Sequence, residues 1–178
     1  MRIAVCSDEP YPIHEWACQE LQTRGHEVIR FGSLRSGHDE TWVEVAVEAA
    51  EAIARGDCAE GVFFCFTGTG ISIAANKVPG IRAALCGDAE TTRNARIWNH
   101  ANVLALSNRL LSIECAKEIL AAWFQTPASD PRGDNAEVDR QKFLEEERKF
   151  FKDLVQRVDL IAEGLRRQRE QADKKWET

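Results

Sequence analysis

The fold is decided by one stretch of the chain, Gly61–Ala75, which reads GVFFCFTGTGISIAA. An apolar run typical of a strand passes through a glycine-containing loop into small and apolar residues with helical spacing. Similar apolar runs recur on both sides of this stretch, and each is separated from the next by a segment with helical periodicity or a helix-ending glycine. The five runs are Arg2–Cys6, Glu27–Phe31, Gly61–Phe66, Arg82–Cys86 and Val103–Ser107. Their alternation with helical segments predicts a parallel sheet of the α/β class.

The segments between these runs predict the helices. Two of them, Ile13–Arg24 and Thr41–Arg55, are each followed by a glycine, where a left-handed cap would end a helix. Further helices are predicted over Ser72–Lys77, Ala89–Trp98 and Ser112–Phe124. We therefore predict a doubly wound, five-stranded parallel sheet of the flavodoxin-like or Rossmann-like type, with strand order 2-1-3-4-5.

The C-terminal part of the chain differs in composition. From Glu137 to about Asp173 it is rich in Glu, Lys, Arg and Gln, with apolar residues at roughly helical spacing. This pattern predicts a long amphipathic helix or helix pair that packs on the domain or on a second subunit. A dedicated partner-binding role is the alternative. We accordingly divide the chain into an α/β domain over residues 1–127, a linker over 128–136 and a helical extension over 137–178.

Composition excludes several classes of function. The formal net charge of -6 argues against a nucleic-acid partner, whereas local arginines can still bind an anionic small molecule. No apolar run approaches the ~18 residues of a spanning helix, and the opening Met1–Cys6 has the pattern of a strand rather than of a secretion signal. The six cysteines lack metal-ligand spacing and are interpreted as reduced thiols. We expect a cytoplasmic protein without a metal site or a membrane partner.

The predicted topology also predicts a site. In a doubly wound sheet of this order, ligands bind beyond the carboxyl ends of the first and third strands. The first strand runs into Asp8 and the third ends at Cys65, so the fold would bring these two residues together. In the loop Thr67–Gly70, inward-facing backbone N–H groups at a helix start would favour an anion or a developing oxyanion. The alternative is that the glycines of this loop only allow a tight turn and bind no ligand.

Cys65 differs from the other cysteines because it ends a strand at this crevice. Free cysteine often only fills space in a core, and that interpretation is preferred for Cys6, Cys18, Cys86 and Cys115. A thiol at the crevice could instead act as a base or a nucleophile. A phosphatase would need an arginine six positions after the cysteine, and Ile71 at that position excludes this class.

The stretch Cys65–Cys86, which reads CFTGTGISIAANKVPGIRAALC, resembles the signature of type B ribose-5-phosphate isomerases and of the related galactose-6-phosphate isomerase subunits. The segments Ile3–Asp8 and Asn99–Leu104 support this resemblance, which covers about residues 1–127. It implies interconversion of an aldose phosphate and a ketose phosphate through a 1,2-enediolate, without a metal or organic cofactor. It also implies a homodimer or a higher homo-oligomer.

The resemblance assigns roles to residues of this chain. Cys65 falls at the position of the base that removes a proton next to the carbonyl. Thr67, the amides of the glycine loop and Asn99 would stabilise the negative oxygen, and Asp8 would contact sugar hydroxyls. The loop residues concerned are Gly68, Thr69 and Gly70.

Further residues are assigned to substrate binding. Trp42 falls where the family often has an aromatic residue over the substrate. The equally favoured alternative is that Trp42 is an aromatic side chain of a helix that only packs against the protein. Arg109 matches one phosphate-binding position, and Arg132 and Arg140 are candidates for others. In this family such arginines come in part from the neighbouring subunit. An exposed arginine on a solvated surface is the alternative for each.

Two departures from the family pattern bear on the substrate. The family usually has histidine where this chain has Glu9, and again where this chain has Trp98. The second histidine is implicated in opening the furanose ring, and tryptophan cannot transfer that proton. His100 is a candidate substitute, with a surface histidine as the alternative. We therefore hypothesise a substrate that needs no ring opening, such as a four-carbon sugar phosphate, although Glu9 would repel a nearby phosphate unless an arginine intervenes.

Two other functions compete with the isomerase. A non-catalytic sugar-phosphate-binding protein could keep the fold after losing both histidines. The retained Cys65, Thr67 and Asp8 weigh against it, because a binding protein has no need of a thiol base. A flavodoxin-like nucleotide or flavin binder is less favoured, because no Gly-x-Gly-x-x-Gly follows the first strand.

Overall fold

A computed structural model describes residues 1–128, 144–158 and 160–164 of the 178-residue chain. Within them, one parallel sheet alternates with helices in chain order. The strands are β1 (Arg2–Ser7), β2 (Glu27–Gly32), β3 (Glu60–Cys65), β4 (Ala83–Leu85) and β5 (Val103–Ser107). The helices are α1 (Pro12–Thr23), α2 (Ser33–Ser36), α3 (Trp42–Ala54), α4 (Thr69–Ala75), α5 (Ala89–Asn99) and α6 (Ile113–Gln125). The predicted α/β class and five parallel strands are confirmed.

Glycines set several of the element boundaries. Gly25 and Gly56 follow α1 and α3 with φ of 83° and 84°, which are the left-handed conformations expected at these helix ends. The helix after β3 begins at Thr69, earlier than the predicted Ser72. The reason is Gly68, whose φ of 76° turns the chain from the loop into α4 within one residue.

The order of the last two strands differs from the prediction. The sheet runs β2-β1-β3-β5-β4, so that β5 lies beside β3 and β4 forms the edge. All five residues of β5 are buried, whereas β4 has only three residues, and Leu85 at its end is exposed. A short, partly exposed strand suits an edge, and a continuously buried one suits the interior of a parallel sheet.

Successive residues of the central strands point to opposite faces of the sheet and build two cores. One face contains Cys6, Phe63 and Cys65 and is covered by buried side chains of α3 and α4. The other face contains Val5, Phe64 and Leu106 and is covered by α1, α5 and α6. Cys65 therefore belongs to the face that α3 and α4 cover.

The chain divides into two compact units, residues 1–136 and 137–178. In the second unit, residues 144–158 and 160–164 are helical, so a C-terminal helix is present as predicted. Apolar side chains are exposed along it: Phe150, Phe151, Leu154, Val155, Val158, Leu160 and Ile161. What this helix packs against stays a prediction, and the predicted linker lies outside the described residues apart from Ala128. Among the described helices, none is both long and apolar enough to cross a membrane.

Candidate active site

Asp8 and Cys65 lie at the same end of the sheet, where the carboxyl ends of the strands meet. Strands β1 and β3 are parallel neighbours, with Ser7 opposite Phe64, so their carboxyl ends coincide. Asp8 follows β1 and is 8% exposed, while Cys65 ends β3 and is 4% exposed. The carboxyl group and the thiol that were expected at a crevice beyond these strands thus lie at the same end of two adjacent strands.

The sulfur of Cys65 accepts a hydrogen bond from the backbone N–H of Gly68 over 3.1 Å. An N–H donor aimed at sulfur stabilises negative charge there. Only glycine fits position 68, because a Cβ there would lie 2.4 Å from Cδ1 of Leu85 and 3.0 Å from the backbone carbon of Leu106. The turn that begins α4 therefore places a donor on the thiol.

The rest of the glycine loop presents hydroxyl groups and an aromatic ring. The hydroxyls of Thr67 and Thr69 are 2.6 Å apart, and both residues are exposed. A Cβ at Gly70 would lie 3.1 Å from Cε3 of Trp42, so the indole packs directly onto this glycine. Trp42 stays 43% exposed, and its position beside the loop agrees with either of its predicted roles.

The pKa values of the other thiols are raised by their surroundings. Burial raises the pKa of the Cys6 thiol well above its ordinary value, and negative charge on Asp8 and Cys65 raises it further. Burial also raises the pKa of Cys18 to about 11 and raises the pKa values of Cys58, Cys86 and Cys115. These thiols stay protonated near neutral pH, which for Cys6, Cys18, Cys86 and Cys115 agrees with their interpretation as space-filling side chains.

Asp8 is held by its immediate neighbours. The Glu9 N–H donates to Oδ1 of Asp8 over 3.1 Å, and the Ser7 hydroxyl lies 3.5 Å from the same oxygen. The carbonyl of Asp8 accepts from the backbone N–H of Glu40 over 2.8 Å. Burial raises the pKa of this carboxyl, and the charge of Glu9 adds to the rise, while the two hydrogen bonds oppose it. Glu9 in turn accepts from the Tyr11 hydroxyl over 3.2 Å.

Two residues of this edge were not predicted from the sequence. Nε2 of His14 lies 2.7 Å from Oδ1 of Asn108, and both residues are buried. The Asn108 N–H also donates to the carbonyl of Cys65 over 2.9 Å. One feature of the sequence could have indicated the role of His14. It lies with Ala17 and Leu21 on the buried face of α1, where an apolar side chain is expected.

Arg109 follows Asn108 at the same edge, where its backbone N–H donates to the carbonyl of Phe66 over 3.1 Å. Its exposed position beside the thiol-bearing strand agrees with the predicted phosphate role. The other two predicted phosphate ligands, Arg132 and Arg140, lie outside the described residues.

Asn99 and His100 lie at the opposite end of the strands from Cys65, near the amino end of β5. Asn99 ends α5, and His100, with φ of 49°, turns the chain towards the amino end of β5. Cys65 pairs with Ser107 at the carboxyl end of β5. The two ends of β5, Val103 and Ser107, are four residue steps apart, which is about 13 Å along a strand. A single chain therefore does not bring Asn99 or His100 to Cys65, and Trp98 is likewise distant.

A groove of about 370 Å³ borders the site between the first turns of α1 and α6. It is lined by Tyr11, Pro12, Ile13, Asn108, Leu111, Ser112 and Ile113. Within the described residues, no three His, Cys, Asp or Glu side chains cluster as a metal site would require. The chemistry available at this edge is that of a thiol, a carboxyl group, hydroxyls and backbone amides.

Several known proteins are similar to this chain in sequence and in fold. The family described as Ribose/Galactose Isomerase matches residues 3–140. The D-erythrulose-4-phosphate isomerase of Pectobacterium atrosepticum and the ribose-5-phosphate isomerase B of Escherichia coli are each 42% identical over 103 residues, which are 58% of this chain and 68% of each relative. The solved structure of Clostridium thermocellum ribose-5-phosphate isomerase B superposes with a TM-score of 0.71 at 36% identity, covering 84% of this chain and 99% of that one.

The family match spans most of the chain, and the relatives named above are sugar-phosphate isomerases, that is, intramolecular oxidoreductases. The matched residues 3–140 include Asp8, Cys65 and the glycine loop. The chain belongs to the Ribose/Galactose Isomerase family.

Proposed function

We propose that the chain interconverts the aldose and ketose forms of a small sugar phosphate, with the thiolate of Cys65 as the base. The thiolate removes a proton from the carbon next to the carbonyl, which leaves an enediolate, and returns it to the former carbonyl carbon, while the proton of the substrate hydroxyl passes to the former carbonyl oxygen. The hydrogen bond from Gly68 to the Cys65 sulfur carries this proposal, because it fixes the sulfur at the end of β3 beside the glycine loop.

The other groups at this edge have complementary roles. The Thr67 hydroxyl and the loop amides stabilise the oxygen that becomes negative as the enediolate forms. Asp8, fixed by the Glu9 N–H, accepts a hydrogen bond from a sugar hydroxyl. Trp42 covers the sugar from above Gly70, and Arg109 contributes positive charge for the phosphate.

The substrate that we favour has four carbons. Such a sugar phosphate has its terminal hydroxyl esterified and cannot close a furanose ring, so it needs no histidine for ring opening. This chain has Trp98 at the position of that histidine. The two relatives at 42% identity are named for D-erythrulose 4-phosphate and for ribose 5-phosphate, so the choice rests on Trp98 and not on the similarity.

Asn99 and His100 can take part only from a second copy of the chain. Both lie at the amino end of β5, whereas Cys65 lies beside its carboxyl end. A homodimer that juxtaposes the two opposite edges would complete each site with Asn99 of the neighbouring copy.

The test is proton NMR in deuterated water with four-, five- and six-carbon aldose and ketose phosphates. The wild type should incorporate deuterium next to the carbonyl, fastest with the tetrose phosphates, and Cys65→Ala should not. Cys58→Ala is the matched control, since Cys58 is equally buried but precedes β3 at the other end of the strand.

Three outcomes would contradict parts of the proposal. Exchange that survives in Cys65→Ala would remove the thiol from the base role. Faster turnover of ribose 5-phosphate than of any tetrose phosphate would contradict the ring-opening argument. Binding of sugar phosphates without any exchange in the wild type would favour the non-catalytic sugar-phosphate-binding protein.

A further inference from the structure

A chain of hydrogen bonds joins the first turn of α1 to the candidate site, and all of its donors can point in the same direction. The Tyr11 N–H donates to Nδ1 of His14 over 3.3 Å. Nε2 of His14 then lies 2.7 Å from Oδ1 of Asn108, and Nδ2 of Asn108 lies 3.5 Å from the Ser7 hydroxyl. Three elements, α1, β5 and β1, are thereby connected by side chains.

The chain of hydrogen bonds continues to a carboxyl group. The Ser7 hydroxyl donates to the carbonyl of Glu9 over 2.8 Å, and the Glu9 N–H donates to Oδ1 of Asp8 over 3.1 Å. The bonds from Tyr11 to the Glu9 carbonyl run from donor to acceptor and so polarise and strengthen one another. The Glu9 N–H belongs to the preceding peptide group, so Glu9 connects the Ser7 bond to the Asp8 carboxylate by fixing the position of its backbone.

This direction requires a neutral His14 with its proton on Nε2. Nδ1 must accept from the backbone of Tyr11, so Nε2 is the donor to Asn108. Burial lowers the pKa of His14, and the positive end of the α1 dipole also disfavours a charged ring in the first turn. The imidazole is therefore neutral at pH 7.

The surroundings of His14 contain few charges. The ring packs on Phe64 of β3 at 4.7 Å and on Tyr11 at 5.8 Å, and the uncharged Asn108 contacts it from the residue after β5. The carboxyl groups nearby are those of Asp8 and Glu9 after β1. Glu15, the next residue of α1, is paired with Arg30 of β2.

We propose that His14, acting through Asn108 and Ser7, is a positioning residue that fixes the Asp8 carboxylate for a sugar hydroxyl. The part that concerns the sugar rests on the function proposed above. His14 is 3% exposed, so it acts through its partners rather than by touching substrate. A histidine that only fills the core would have no effect on the carboxylate of Asp8.

Two substitutions separate positioning from packing. His14→Leu keeps an apolar side chain against Phe64 and loses both hydrogen bonds of the ring. His14→Gln can still donate an amide N–H to Asn108 and should restore part of the connection. The control is His26→Leu, because His26 is a partly buried histidine stacked on Phe124 at 4.5 Å, at the opposite edge of the sheet.

The first readout is NMR of the folded protein and needs no turnover. The ¹⁵N shifts of wild-type His14 should identify the Nε2–H form. The ¹³C titration of Asp8 should move to higher pH in His14→Leu, because the Glu9 N–H, which donates to the carboxylate and favours its charged form, is held less firmly. His14→Gln should move it less, and His26→Leu should leave it in place.

The second readout is a double-mutant cycle in kcat/KM for the best sugar phosphate. His14→Leu should lower kcat/KM about tenfold, chiefly by raising KM, and in the Asp8→Asn background its effect should fall to about twofold or less. An equal loss in both backgrounds would overturn the proposal, as would an Asp8 titration that His14→Leu does not move. If Asp8 titrates as expected but the wild type turns over no sugar phosphate, the proposed function fails and the positioning role stands.

Discussion

Gly68 and Cys65 form a unit in which a left-handed glycine places its N–H 3.1 Å from a buried sulfur. Gly68→Ala should disrupt this unit, because the new Cβ would meet Leu85 and Leu106 and because φ of 76° strains any other residue. We expect the free energy of unfolding to fall by about 1–3 kcal/mol. Deuterium exchange into substrate should also be lost.

Urea unfolding and the exchange assay measure these two effects in parallel. Gly87→Ala is the control, since a Cβ at Gly87 meets nothing within 4 Å and its φ is not positive. A Gly68→Ala variant as stable and as active as Gly87→Ala would show that the position of the Gly68 N–H is unimportant.

A buried ion pair should contribute to stability far from the site. Arg96 pairs with Glu60 over 2.7 Å, lies over the ring of Trp123 and donates to the carbonyl of Ala101, and its side chain is 9% exposed. Arg96→Met would leave the partly buried Glu60 carboxylate with the Trp123 N–H as its remaining hydrogen-bond donor among the described side chains. We expect a loss of about 3–5 kcal/mol in urea unfolding.

The exposed pair of Arg93 and Glu90 supplies the comparison. Its side chains are 46% and 71% exposed, so Arg93→Met should cost less than about 1 kcal/mol. Equal losses in Arg93→Met and Arg96→Met would argue that burial of the Arg96 pair has no energetic consequence.

Asp8 should decrease stability at neutral pH. Burial raises its pKa in the folded state, so the folded protein binds this proton more readily than the unfolded chain does. Stability is therefore lost as pH rises from the unfolded value of about 3.9 through the folded pKa. Asp8→Asn should raise the free energy of unfolding at pH 7, and this gain should shrink below about pH 4.

Urea unfolding at several pH values measures this effect, and the exposed Asp39→Asn serves as the control. Activity should fall in Asp8→Asn while stability rises, as expected where a site residue is retained for function. A gain that is independent of pH would assign the effect to packing instead of charge.

The requirement for a second copy can be tested by complementation. Cys65→Ala and Asn99→Ala should each lose deuterium exchange, since each removes a different part of every site. If Asn99 acts across a dimer, unfolding and refolding the two variants together should restore about one quarter of the wild-type sites. A mixture that stays inactive, although the variants form mixed dimers, would place Asn99 outside the site.

Local patterns in the sequence were sufficient for the elements and for half of the site. Apolar runs, helical spacing and the glycines at 25 and 56 predicted the strands and the helix ends, because backbone conformation there depends on neighbouring residues. Asp8 and Cys65 followed from the ends of two adjacent strands. The family resemblance added roles that these patterns alone do not assign.

Contacts between distant segments decided the rest. His14 and Asn108 are 94 residues apart, and no local pattern indicates that one accepts the proton of the other. The sequence also does not order β4 and β5, which are both short apolar runs and differ in burial only once the sheet has formed. The sequence by itself determined which residues are chemically able to act. Only the tertiary structure decided which of these residues lie close together in one chain. The reason is that strand pairing across the sheet, and not separation along the sequence, sets the distances between their side chains.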